Sequence, residues 1–146
     1  MNTFITLSSS LPLPQFYAIL KLRQDVFTLE QQCIWNDLDG CDLESLHLAA
    51  WEGSTLTGCA RLQIFPTHAY FQRLAVAPAY RGQGIASALL NKALEYCQSQ
   101  NIPVVKLEAQ SHLEAFYARF GFVTQGPAYM DAGIEHVPMK RTQTFA

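Results

Sequence analysis

The chain has 146 residues, of which 49% are apolar, 15% charged and 12% aromatic, and twelve Asp and Glu against ten Lys and Arg leave a net charge of −2. That length fits one compact domain spanning 1–146, and the composition excludes a disordered chain. With no basic excess and no run of eighteen apolar residues, neither nucleic acid nor a bilayer is expected as a partner.

The start, Met1-Asn2-Thr3-Phe4, carries no Lys or Arg and leads into no long apolar run, so no secretory signal and a cytoplasmic location are expected. Phe16, Ile19, Leu20, Val26 and Phe27 then fall on one side of an amphipathic helix from about Pro14 to Glu30, with Pro14 in its first turn. The stretch from Cys33 to Asp42 is polar and rich in turn formers, which predicts a loop. Leu46–Trp51 and Leu56–Phe65 predict a hairpin across Glu52-Gly53-Ser54-Thr55. A third strand, Phe71–Val76, stops before Pro78, which has no N–H to give to a ladder.

Ile85, Ala86, Leu89, Leu90, Ala93, Leu94 and Cys97 form the widest apolar stripe at helical period, closed by Asn101 and Pro103. Val104–Ala109 is short and β-branched, a strand. Ser111 is a candidate cap for a last helix through Leu113, Phe116, Tyr117 and Phe120, ended by Gly121. Phe122–Thr124 and a stretch near His136 to Lys140 complete the strands; the latter is a candidate sheet edge, where a second copy could pair as a homodimer. Only the strand–helix–strand unit over 71–109 requires parallel pairing. The expected fold is α/β or α+β, a mixed sheet with helices on both faces. Cys33, Cys41, Cys59 and Cys97 show neither a CxxC pair nor zinc spacing, so reduced thiols and no metal are expected.

The chemistry concentrates where Val76 ends a strand, Arg81-Gly82-Gln83-Gly84 turns, and Ile85-Ala86-Ser87 opens a helix. A helix start leaves backbone N–H groups without intrahelical partners, and its dipole favours an anion. Gly82 and Gly84 admit close approach, Ala86 and Ser87 keep the entrance uncrowded, and Arg81 adds a positive charge: a phosphate cradle. The dinucleotide fingerprint fails because Ser87 stands where its third Gly belongs, and no Gly-Lys-Ser/Thr occurs for a Walker loop. The acidic loop is no EF-hand, because Gly40 comes too early.

Arg81-x-x-Gly84-x-Ala86 after Leu74-Ala75-Val76-x-Pro78 resembles the acyl-coenzyme A motif of the GNAT N-acetyltransferase superfamily. Ala115-Phe116-Tyr117-Ala118-Arg119-Phe120-Gly121-Phe122 resembles its second signature. Leu22–Phe27 with Glu30-Gln31, Asp37-x-Asp39-Gly40-x-Asp42, and Tyr129-x-Asp-x-Gly133-Ile134-x-His136-x-x-Met139 are similar to the ElaA-like subgroup. The resemblance implies a mostly antiparallel sheet with one parallel pair splayed at the cofactor site. It implies acetyl-coenzyme A as co-substrate, with backbone from Leu74, Ala75 and Val76 on the pantetheine arm. It also implies pyrophosphate on the amides of Arg81, Gly82, Gln83, Gly84, Ile85, Ala86 and Ser87. Tyr117 is then the general acid, and Gln110 stands where many members carry an Asn.

Acyl transfer to an amine needs a proton acceptor, and Glu108 and His112 are both candidates by their place at the strand end. Asp39 and Asp42 are candidates to attract the amine. The expected activity is N-acetylation of a small-molecule or peptide amine; the competing reading is a non-catalytic module that senses acyl-coenzyme A through the same cradle.

Overall fold

The computed structural model describes residues 3–145. Strand β1 (Thr3–Ser8) precedes helix α1 (Leu13–Arg23), which continues directly into a π-helical segment, Gln24–Glu30. After the loop come β2 (Leu46–Glu52), β3 (Thr55–Ile64) and β4 (Ala69–Val76), then helix α2 (Ile85–Ser99) and β5 (Val104–Gln110). Helix α3 (Glu114–Ala118) and strands β6 (Val123–Thr124), β7 (Tyr129–Asp131) and β8 (Ile134–Thr142) finish the chain. The sheet runs β1-β2-β3-β4-β5-β8-β6, with β7 also on β8. Only β4 and β5 are parallel, joined by the α2 crossover, as the strand–helix–strand unit requires.

Helices cover both faces, which is why β2 is buried at five successive residues rather than at alternate ones. On one face the α2 stripe, Leu89, Leu90, Ala93, Leu94 and Cys97, packs on Leu48, Ala60, Leu62 and Phe71. On the other, Ile19, Leu22, Val26 and Phe27 pack on Ala49, Trp51, Cys59 and Ala75. The close seat of α2 depends on Gly58. A Cβ there would meet the Ile85 side chain at 2.8 Å and the Ala75 carbonyl at 3.2 Å.

Four expectations need correction. The single helix to Glu30 changes to wider π turns after Arg23, seen in the Gln31 N–H donating to the Val26 carbonyl at 3.0 Å; apolar spacing does not distinguish the two. Strands β1 and β7 were not predicted; both lie at the margins of the sheet, where few apolar residues are needed. Ser111 is not a cap, since it sits inside a 3-10 turn, Ser111–Leu113, and its hydroxyl has no partner. The final strand is not an edge: β8 has β5 on one side and β6 and β7 on the other, which removes the basis given for self-pairing. All four cysteines are free, and Cys33, Cys59 and Cys97 are buried.

Gly58→Ala is expected to destabilise the protein by about 1–3 kcal/mol, because Ile85 and the α2 start must give way. Urea unfolding checks it: the midpoint should fall with an unchanged m value.

Candidate active site

Parallel pairing between β4 and β5 extends over only Ala69↔Val105 and Tyr70↔Lys106, and beyond these positions the strands separate. Their separation opens a cleft of about 630 Å³. One wall is β4 from Gln72 to Val76; the other carries Glu108 and Gln110 of β5 with Leu113, Phe116 and Tyr117 beyond them. Glu30, Gln31 and Trp35 form part of the rim. The pairing of β4 with β3 is irregular between Cys59 and Arg61, and Arg73 has a left-handed φ of 58°. An extra residue therefore bends β4 at the point where it leaves β5.

The Gly turn closes one end of this cleft. Gly82 and Gly84 have φ of 75° and 80°, and Gly84 precedes α2 without any side-chain cap. Among the described residues, none of the amides from Gly82 to Ser87 donates to a protein acceptor, and the first α2 bond is Ala88 N–H to the Gly84 carbonyl. No atom lies within 4 Å of where a Cβ on Gly82 or Gly84 would stand. Unpartnered donors, open space and the positive end of a 15-residue helix fit a diphosphate. Arg81, by contrast, does not belong to this free set: its amide donates to the Pro78 carbonyl at 3.4 Å, and its side chain is not a free charge. Its Nη1 and Nη2 donate to Glu30 at 2.6 and 2.7 Å and its Nε to the Val76 carbonyl at 3.0 Å, and the guanidinium holds the Glu30 carboxyl below its usual range.

The other predicted residues mostly converge. Leu74, Ala75 and Val76 line the cleft beside the cradle, and Gln110 faces them, its Nε2 donating to Gln31 at 3.1 Å. Tyr117 is only 5% exposed, packed edge-on against Phe116 and Phe122, and burial pushes its phenol far above the ordinary 10.0. Glu108 Oε2 accepts from the Tyr129 hydroxyl at 2.7 Å, while His112 lies exposed on the 3-10 turn, and both line the cleft. Gln83 departs from expectation, since its residue faces a smaller cavity of about 200 Å³ between β1, β2 and the α2 start. Tyr129, Asp131, Glu30 and Arg73 were not singled out as site residues. For Tyr129, Asp131 and Glu30 the only sequence signal was membership of the subgroup patterns, and Arg73 carried none.

Asp39 and Asp42 do not line the cleft, which corrects their assignment as amine attractors. With Asp37 they meet Arg23, Arg61 and Arg73 beneath the 31–45 loop. Arg23 reaches Asp42 at 2.7 Å and Asp37 at 3.2 Å; Arg61 holds Asp39 through two contacts of 2.8 Å and Asp42 at 3.2 Å. Arg23 and Arg61 are at most 1% exposed. Hydrogen bonds from Arg61 depress the Asp39 carboxyl strongly. At Asp42 burial opposes ionisation, but Arg23 and Arg61 outweigh it and the net shift is also downward. These carboxylates neutralise buried guanidinium groups.

A family profile for the acetyltransferase (GNAT) domain matches residues 25–143. The chain belongs to the GNAT acetyltransferase family. It is similar to the protein ElaA of Escherichia coli K12, 37% identical over 142 residues, covering 91% of each chain. Among solved structures, an acyl-CoA N-acyltransferase from Pseudomonas aeruginosa superposes with a TM-score of 0.90 at 34% identity, covering 97% of this chain and 100% of that one. The crystal structure of Escherichia coli ElaA gives 0.86 at 34%, covering 94% and 99%. This GNAT protein is thus an acyl-coenzyme A-dependent transferase of the ElaA-like subgroup, with the mixed sheet that the resemblance implied. None of its described helices is long and apolar enough to cross a membrane.

The charge cluster makes this GNAT fold acid-sensitive. Folded Asp39 and Asp42 titrate below the ordinary 3.8, so their contribution is full above that value and is lost as pH falls below about 4. Urea midpoints should therefore drop steeply below about pH 4, on top of a gentler decline that begins below about pH 6.5, where burial of His47 keeps its imidazole neutral and lowers its pKa. Asp42→Asn, which leaves three arginines facing two aspartates in the cluster, should cost about 3–5 kcal/mol at neutral pH and lessen that drop.

Proposed function

We propose that this protein transfers the acetyl group of acetyl-coenzyme A to a primary amine by direct attack, within a single domain spanning 1–146. The observation that carries the reading is the set of unpartnered amides from Gly82 to Ser87 at one end of a cleft that also holds Tyr117 and Glu108. Bound acetyl-coenzyme A supplies an activated carbonyl and a thiolate leaving group. Gly82 and the residues from Gly84 to Ser87 hold the diphosphate through backbone N–H groups. The backbone of Leu74 to Val76, left without a strand partner on the β5 side, pairs with the amides of the pantetheine arm as a neighbouring strand would. A β4 amide at the split donates to the carbonyl oxygen as negative charge develops there; one such donor is worth about 3 kcal/mol of barrier.

Glu108 is the proton acceptor in this reading. Tyr129 fixes its Oε2 and its residue lines the cleft, whereas His112 sits on an exposed turn. As the new N–C bond forms, the amine proton becomes acidic enough for a carboxylate to take it. Tyr117, kept protonated by burial, gives its proton to the departing sulfur. The phenolate and the protonated Glu108 then re-equilibrate through water, so the count of protons closes. No covalent enzyme intermediate is required. Asp131, Tyr70 and His136 line the cleft on the side of Glu108, where a small or peptide amine would sit.

Isothermal titration should show acetyl-coenzyme A binding, and no heat at ~1 mM ligand, the upper end of ordinary enzyme affinities, overturns the reading. Gly84→Glu, which puts bulk and like charge into the cradle at a left-handed φ, should abolish that binding. Tyr117→Phe should lower kcat by about 10²-fold or more while coenzyme affinity stays within roughly threefold. Glu108→Gln should lower kcat with a panel of primary amines, read by thiol release, more than His112→Ala does; the reverse order would move the base to His112.

A further inference from the structure

We infer that Trp35 and Asp37 are positioning residues: by gripping the Arg73 side chain they hold the β4 bulge, and with it the backbone donor aimed at the thioester carbonyl. This rests on the acyl-transfer reading above, and it concerns what keeps that donor in place.

The bulge changes which face each β4 residue presents. Ala69 and Phe71 lie in the core with α2, as do their β3 neighbours Ala60 and Leu62. Beyond the bulge, Ala75 lies in the opposite core with Cys59, Trp51 and the π segment. Regular alternation would have kept residues 69, 71, 73 and 75 on one side. The register shows the cause: Arg61 faces Gln72 and Cys59 faces Ala75, so Ala60 is opposed by both Arg73 and Leu74. Leu74 packs against the α2 core, and Arg73 is the supernumerary residue. It points to the same side as Gln72, whose side-chain Oε1 accepts from Nε and Nη2 of Arg61 at 3.1 and 2.7 Å.

A left-handed φ is strained for a non-glycine residue, so surrounding contacts must hold Arg73 there. Its guanidinium carbon stands 4.1 Å from the centroid of the Trp35 ring. Its Nε lies 3.0 Å from Asp37, close but poorly aligned for a hydrogen bond, and its Nη2 reaches Asp39 at 3.3 Å and the Asp37 carbonyl at 3.4 Å. Its side chain is only 11% exposed. Slipping the strand by one residue to remove the bulge would carry this cation into the apolar core beside Phe71 and leave its aspartates behind. The clamp thus selects the bulged register. Trp35 also lines the cleft, so the loop that carries the clamp touches the site it maintains.

The test is isotope-edited infrared spectroscopy of acetyl-coenzyme A labelled with carbon-13 at the thioester carbonyl, bound to the full chain. A backbone donor on the oxygen lowers the carbonyl frequency of the bound ligand below its value in solution. Trp35→Leu and Asp37→Asn are each expected to lose most of that displacement while acetyl-coenzyme A affinity changes by less than about threefold. Should Asp37→Asn fail to fold, Trp35→Leu, which leaves every ion pair in place, decides alone. Arg73→Gly separates positioning from bulk stability: glycine adopts the left-handed φ without a clamp, so this variant should keep the displacement. Adding Trp35→Leu to it should then change nothing further. A Trp35 variant that binds the ligand and keeps the full wild-type displacement overturns the inference alone, as does loss of the displacement in Arg73→Gly. Absence of acetyl-coenzyme A binding by the wild type overturns the acyl-transfer reading and this inference together.

Discussion

Backbone hydrogen bonding is the constraint from which the site follows. A strand inside a sheet has donors and acceptors along both edges, and burying them unpaired is costly. Strand β4 satisfies its β3 side along most of its length but leaves β5 after Tyr70, so its second edge from Gln72 onward has no strand partner. A wedge between two parallel strands near the middle of the sheet is therefore a polar slot of extended backbone. An amide-bearing chain can fill it with the geometry of a missing strand. The helix that must cross over between those same strands begins at the wide end of the wedge, so the free amides of its first turn point to where such a chain would carry its anion.

The electrostatics are divided between two places. Under the 31–45 loop, three arginines and three aspartates cancel one another formally and are mostly closed to water. Such clusters contribute little net stability but penalise any arrangement that separates their members, which suits a region where strand register has to be fixed. At the cradle the positive potential comes from oriented peptide dipoles, because Arg81 is committed to Glu30 across the rim. Dipoles fixed by the backbone cost no reorganisation when an anion arrives.

The two cores on opposite faces explain why one irregularity reaches so far. With α2 on one side and α1 on the other, every strand residue has to face one or the other, and a single extra residue exchanges the faces for all that follow. Ala75 and Cys59 are small, and Gly58 beside them has no side chain, so the crossing of the bulge with the α2 start can be tight.

The sequence by itself determined most of the local elements and the cradle, missing strands β1 and β7 and the π turns. The helical stripe from Ile85 to Cys97 and the glycines at 82 and 84 act through neighbours a few residues away, and their preferences are visible in spacing. Tyr117 and Gln110 were legible through motif resemblance, which carries information that periodicity does not. Tertiary structure alone decided the fate of Asp39 and Asp42, whose carboxylates looked available until Arg23, Arg61 and Arg73 arrived from α1, β3 and β4 to take them. It also decided the bulge at Arg73, the Glu30–Arg81 bridge and the support of Glu108 by Tyr129. Each of these joins residues distant along the chain, and whether a charge is spent or free depends on what the fold brings within a few ångströms of it.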